Sequence, residues 1–332
     1  MTARLGRRLG AGIGAGLLAV SLAGCAAVAG VSDPPTATVG GAVDPARAQS
    51  IAAQVLTTAA KAVAAPGADG DALREAAYTG DALVAAKADA KLDPTVDQAA
   101  KDAKTLTPAA PVVLAVSRGL DYPRSMIVQT TRASSGLPVL SYLVTPDVRT
   151  PYKIAAMTPM LPSATVKAFE PLTQGSKPLG DSAGLTTKPE ELAKLYAASL
   201  AYPAPPAGAA PPFAEDTFAA AVRKNADAQK QGLGGVGTFT QQHQPKDVIG
   251  GLRVAGGKGA LVFVVLDRVD TLLNKTQGTL TPSAQFTALS GLTTVKAEAD
   301  LTTLEFVAFA VPDQGPAVVV GADEHLVAAS GT

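Results

Sequence analysis

Few side chains in this chain can do chemistry. It holds two histidines and one cysteine, so a metal centre of the usual kind would rest almost wholly on carboxylates, and none is expected. His243 lies in Gln241-Gln242-His243-Gln244-Pro245, a polar stretch that reads as a solvated strand end. His325, in Asp323-Glu324-His325-Leu326, has acidic neighbours that favour its charged form. Its place near the C-terminus nonetheless reads as surface. No Gly-x-Ser-x-Gly turn is present to expose a serine nucleophile. What remains is a set of polar groups in apolar strand context: Tyr142, Tyr152, Asp267, Arg268 and Asp270. In an enclosed pocket a carboxylate base with a tyrosine donor would suit an isomerase. Asp267-Arg268-Val269-Asp270 equally suits an exposed strand end with a surface ion pair, and this plainer reading is favoured. No catalytic residue is therefore expected, and Tyr142, Tyr152 and Asp267 are kept as candidate pocket residues.

Two glycine-rich stretches fail as cofactor motifs. In Gly256-Gly257-Lys258-Gly259 the position that a phosphate loop gives to its first glycine holds Leu252, and glycine replaces the Ser or Thr after the lysine. It reads as a hairpin turn. Gly232 to Gly237 follows a helical pattern, where a dinucleotide fingerprint must precede one, so it reads as a helix end. No cofactor is expected.

The single cysteine, Cys25, sits after a basic head (Arg4, Arg7, Arg8), an apolar run and Leu22-Ala23-Gly24. The run is the pattern of a secretory signal and is too short for a permanent membrane span. Leu22-Ala23-Gly24-Cys25 resembles the lipobox of bacterial lipoproteins. The resemblance implies removal of residues 1–24, a diacylglyceryl thioether on Cys25 of the kind that carries palmitate, and attachment to the extracytoplasmic face of the cell membrane. Two acyl chains suffice for stable anchoring. With one cysteine there is no internal disulfide.

After that cleavage the chain carries 25 basic and 28 acidic residues. It has no basic run, so no nucleic-acid partner is expected. Aromatic residues make up 4% of the chain and tryptophan none, so its cores must be built from Ala, Val and Leu. In this it resembles the Ala-rich lipoproteins of actinobacteria, as it does in Pro123-Arg124, Pro151-Tyr152-Lys153 and Met160-Leu161-Pro162. That resemblance carries no activity.

The elements that must position these residues follow in order. Residues 25–44, with Pro34, Pro35, Gly40 and Gly41, read as a tether. Asp44-Pro45 reads as the cap and first position of a helix, which runs to about Ala65. A second helix is expected over Gly70–Asp89, interrupted at Tyr78-Thr79-Gly80-Asp81, and a short one over Thr95–Lys104. The period then changes to 2, which predicts strands at 112–116, 125–132, 137–144 and 152–160. Tyr202 to Pro212 holds five prolines and reads as a spacer or surface strap. A helix at 213–231 and strands at 238–242, 246–254, 260–270, 293–311, 317–320 and 325–328 repeat the order. The expectation is an α+β fold of two tandem domains, 45–200 and 213–332, joined by a linker at 201–212. Each would be helices against a curved antiparallel sheet, and with Thr79-Gly80-Asp81-Ala82-Leu83 this resembles the NTF2-like and cystatin-like folds. Such folds license no chemistry by themselves.

The expected function is a non-enzymatic binding or interaction module of the cell envelope, its partner an envelope protein or polymer. One alternative is a small-molecule binder or NTF2-like enzyme with an apolar pocket. The other is a solute-binding lipoprotein, which helices followed by a meander argue against.

Overall fold

The computed structural model describes residues 40–65, 67–180, 182–206 and 210–332. Cys25, the signal segment 1–24 and the tether up to residue 39 lie outside the described residues. Helix α1 (Pro45–Ala64) begins where its capping residues place it: the Asp44 carboxylate accepts from Arg47 N at 3.0 Å. Ala48, Ala52, Val55, Leu56, Ala59 and Ala62 form its buried stripe, and it lies on β1. The second helix is broken at the expected interruption, into α2 (Gly67–Ala77) and α3 (Gly80–Leu92). They part where Tyr78 bridges to Ile154 and Thr79 N donates to Ile154 O at 2.9 Å. A short α4 (Gln98–Lys104) follows.

Sheet I is β1 (Leu106–Val116), β2 (Arg124–Arg132), β3 (Pro138–Thr145) and β4 (Lys153–Pro159), antiparallel and in sequence order. Helices α5 (Pro189–Ser199) and α6 (Thr217–Leu233) lead into sheet II. Its strands, again in order, are β5 (Gly237–Arg253), β6 (Gly259–Asn274), β7 (Glu298–Pro312) and β8 (Val318–Gly331). The β5–β6 connection is the expected glycine turn. Between β6 and β7 lies α7 (Ala284–Ser290), which the sequence reading left out. The breaks expected within β5 and within β8 are not there. Bulges near Pro245 and Val248 let β5 stay paired past its proline.

The chain is α+β, as expected, but its two halves share one core. Residues Gly40–Thr332 are a single compact unit. One apolar cluster joins Met126, Ile127, Leu140 and Leu143 of sheet I to Leu261, Phe263, Val265 and Phe306 of sheet II. Tyr142 stacks on Phe263 with ring centroids 5.2 Å apart. Gly250 (φ 145°) passes so close that a Cβ there would meet the Tyr142 hydroxyl at 2.6 Å. The other face of sheet II, with Val262, Val264, Val307 and Phe309, packs on Leu192 and Tyr196 of α5. This is why Leu261 to Leu266 is apolar at every position: both faces are covered. The two separate domains, 45–200 and 213–332, are thus replaced by one body. The proline-rich segment straps it, Tyr202 and Gln241 exchanging backbone hydrogen bonds at 2.8 Å and Pro212 O accepting from Ala317 N at 2.8 Å.

The strands of sheet II run to 14–17 residues and those of sheet I to 7–11. At ~3.3 Å per residue the longer sheet extends some ~20 Å past the shorter. That overhang carries Phe239 to His243, Arg268 to Leu272, Ala299 to Thr303 and Glu324 to Ala329. Its cover comes from α3, α7 and the segment around Leu280 and Val295.

Candidate functional site

The cover over the overhang is incomplete and leaves a cavity of about 790 Å³, within the range of small-molecule sites. Phe239, Leu272, Leu280, Phe286, Val295 and Leu301 make its apolar wall. Because strand neighbours face opposite ways, the cavity reaches both faces of the sheet around the edge strand β8. Glu324 faces it on one side with Arg268, Asp270 and Thr303, and Asp323 and His325 on the other with Tyr78, Asp89 and Arg132.

On the first face, cross-strand pairing builds a charged array. Arg268 (β6) donates to Glu305 Oε1 (β7) at 2.9 Å, to Glu324 Oε2 (β8) at 2.7 Å and to Thr303 Oγ1 at 3.3 Å. Its Nε lies 3.2 Å from Asp270 Oδ2, an ion pair without hydrogen-bond alignment. Behind Arg268, Glu305 Oε2 is 2.9 Å from His243 Nδ1, both side chains fully buried. His243 Nε2 is 3.2 Å from Gln241 Oε1, and Gln241 Nε2 donates to Asp270 Oδ1 at 2.8 Å. Both nitrogens of His243 therefore face acceptors. Burial raises the pKa of Asp270 in spite of Arg268 beside it. Burial opposes the charge on Arg268 too, but Asp270, Glu305 and Glu324 outweigh it and raise its pKa. The array thus holds a guanidinium at the cavity wall between two acids that also line the cavity, Asp270 and Glu324, and one fully buried behind it, Glu305.

On the second face, His325 Nδ1 is 2.8 Å from Asp89 Oδ2 of α3, and its Nε2 is 3.7 Å from Asp323. Arg132, at the end of β2, donates to Lys104 O and lies 3.4 Å from Asp323. Phe306 meets the imidazole edge-on at 5.7 Å. Burial opposes charging of His325, yet the Asp89 bond and the Asp323 charge outweigh it and raise its pKa. Asp89 is lowered although burial opposes that as well, chiefly through His325. Tyr78 is pushed up to about 12 by burial and by Asp89.

This pair gives stability a pH dependence. The raised histidine contributes fully below its unfolded value near ~6.5 and loses its contribution as pH rises through the folded value; the lowered aspartate contributes above about 4. The pair is fully effective in roughly the window between those two unfolded values. The urea midpoint of the natural chain should fall as pH rises through 7 and 8 by more than that of His325→Gln. Parallel pH profiles would show that the pair is not linked to folding.

The structure separates the residues singled out from sequence. Tyr142, Tyr152 and Asp267 do not line the cavity. Tyr142 is core against Phe263. Tyr152 is buried, its hydroxyl without a partner among the described residues and its pKa pushed up to about 12 by burial. Asp267 turns to the surface, 3.2 Å from Lys246. Arg268 and Asp270, alternating with it on the other face, reach the cavity. His243 is buried where a solvated strand end was expected, because Gln241 and His243 point inward while Gln242 and Gln244 point outward. His325 is largely covered rather than at the surface. Glu305 went unremarked, though an acid inside Leu304-Glu305-Phe306-Val307 was a readable signal. Asp89 and Arg132 come from other elements and carried none. Among the described residues no three His, Cys, Asp or Glu side chains group to hold a metal ion. No protein-family model, curated protein or solved structure matches the chain.

Proposed function

We propose that the chain is a lipid-anchored extracytoplasmic binding protein whose ligand is a small amphipathic molecule held in the cavity at the overhanging end of sheet II. The cavity itself carries the reading: about 790 Å³, an apolar wall and polar groups converging from two faces of one sheet. The anchor part is supported by Leu22-Ala23-Gly24-Cys25. The array supports binding over catalysis, since its acids are spent on Arg268, His243 and Gln241.

Alkyl alcohols, amines and carboxylates of increasing chain length provide the test. A probe that fits should raise the unfolding free energy by about 2.7 kcal/mol at a hundred times its dissociation constant. Ala299→Trp, at a buried position on the cavity wall, should weaken that probe at least about tenfold, or ~1.4 kcal/mol. If no probe shifts the midpoint, or Ala299→Trp leaves every shift intact, the cavity is not a binding site.

A further inference from the structure

Two connections at one end of sheet I hold apolar side chains out into water. Residues 117–123 join β1 to β2 and carry Leu120, 77% exposed; residues 146–152 join β3 to β4 and carry Val148, 79% exposed. No other large hydrophobic side chain among the described residues is as exposed. The connections share a sheet end because Arg124, which opens β2, pairs with Thr145, which closes β3. Both are braced from within. Arg124 donates to Leu120 O at 2.6 Å and to Ala42 O at 3.3 Å, and lies 4.4 Å over the Tyr122 ring. The Asp147 carboxylate accepts from Arg149 N at 2.7 Å and from Thr150 N at 2.9 Å. A loop tied down by its own polar groups, with its aliphatic side chain still turned outward, leaves that side chain available to a partner.

Charge and chain entry say which partner. Arg118, Arg124, Arg149 and Lys153 lie at this end against Asp121 and Asp147, whose carboxylate is turned into its own loop. Arg149 is exposed and forms no ion pair with a described residue. The compact unit also begins here: Gly40 O accepts from Gly119 N at 3.0 Å, and Gly41 bridges to Arg118. Fourteen residues separate Gly40 from Cys25, a length that spans at most about 50 Å when fully extended.

Resting on the lipid-anchor reading, we propose that this end of sheet I lies on the anionic surface of the membrane that holds the anchor, with Leu120 and Val148 entering the headgroup boundary, Tyr122 beside them and Arg149 on lipid phosphates. Arg132, at the opposite end of β2, lines the cavity. The docked protein therefore turns its cavity away from the bilayer, and a ligand is exchanged with the aqueous side.

The test uses the full lipidated chain in vesicles of mixed zwitterionic and anionic phospholipid containing nitroxide-labelled lipid. Cys25 is the only cysteine and its sulfur is taken by the lipid, so bimane reports one introduced site at a time: Leu120→Cys, Val148→Cys or Val63→Cys. Val63 is the control, 68% exposed at the last turn of the 20-residue α1, ~30 Å from the docking end. Bimane at 120 and 148 should be quenched at least about twofold more than at 63, and Arg149→Glu should reduce the quenching at 120. Equal quenching at the three sites, or most at 63, overturns the orientation and leaves the anchor standing. A chain that neither floats with vesicles nor differs from Cys25→Ser removes the anchor reading and this proposal with it.

Discussion

Glu305→Ala should cost about 3–5 kcal/mol of unfolding free energy, the usual penalty for removing one partner of a buried ionic group. The side chain is fully buried and serves two cationic or hydrogen-bonding groups at once, Arg268 at 2.9 Å and His243 at 2.9 Å. Its loss leaves His243 facing an empty space and withdraws one of the three acids that hold Arg268. The expected result has a companion. Replacing Glu305, His243 and Arg268 together by aliphatic residues should be much less costly, because the expense lies in the unpaired charge rather than in the missing pair. Urea unfolding of the single and triple variants measures both. A loss below about 1 kcal/mol for the single variant would mean that water reaches the site, as at an exposed pair. The triple variant also removes the guanidinium from the cavity wall; Asp270 loses its cation with it, and burial, which already raises its pKa, lets it take a proton in place of the ion pair.

Phe263→Ala should cost about 3–5 kcal/mol from lost burial and the cavity left behind, with some 0.5–1.5 kcal/mol more from the Tyr142 pair. Its use is to report on the coupling of the halves. The chain has six tyrosines and no tryptophan; Tyr78, Tyr122, Tyr142 and Tyr152 belong to sheet I and the elements around it, while Tyr196 and Tyr202 pack on Phe309 and Phe239 of sheet II. Tyrosine emission therefore follows mainly the first half, whereas Phe263 belongs to β6 in the second. With a shared core, Phe263→Ala should move the tyrosine transition and the far-ultraviolet circular dichroism transition to the same lower midpoint. Two separate midpoints, with tyrosine emission left in place, would restore two independent domains.

Much of the local structure was legible. Asp44-Pro45 marked the start of α1, the glycines at 256–259 marked the β5–β6 turn, and period-2 runs marked sheet I. Each depends on neighbours along the chain: a cap, a positive φ, an alternation. Helix α7 was missed because its seven residues carry one buried apolar side chain, Phe286, and hence no periodic stripe.

The candidate site was legible only in part, and the reason is physical. The sequence by itself determined the α+β class, the single cysteine after Leu22-Ala23-Gly24, and the presence of Arg268 and Asp270 in an apolar strand. Only the tertiary structure decided which face of that strand was covered. Asp267 and Arg268 are adjacent in the chain and face opposite ways, one to Lys246 at the surface and one to Glu305 inside. The same holds for Gln241 and His243, which read as solvated until α5 and α6 close over their face, and for Asp89 and His325, brought together from α3 and β8. Alternation along a strand is a local property. Whether a polar side chain is buried, and against what, depends on elements tens to hundreds of residues away, whose packing no local pattern records.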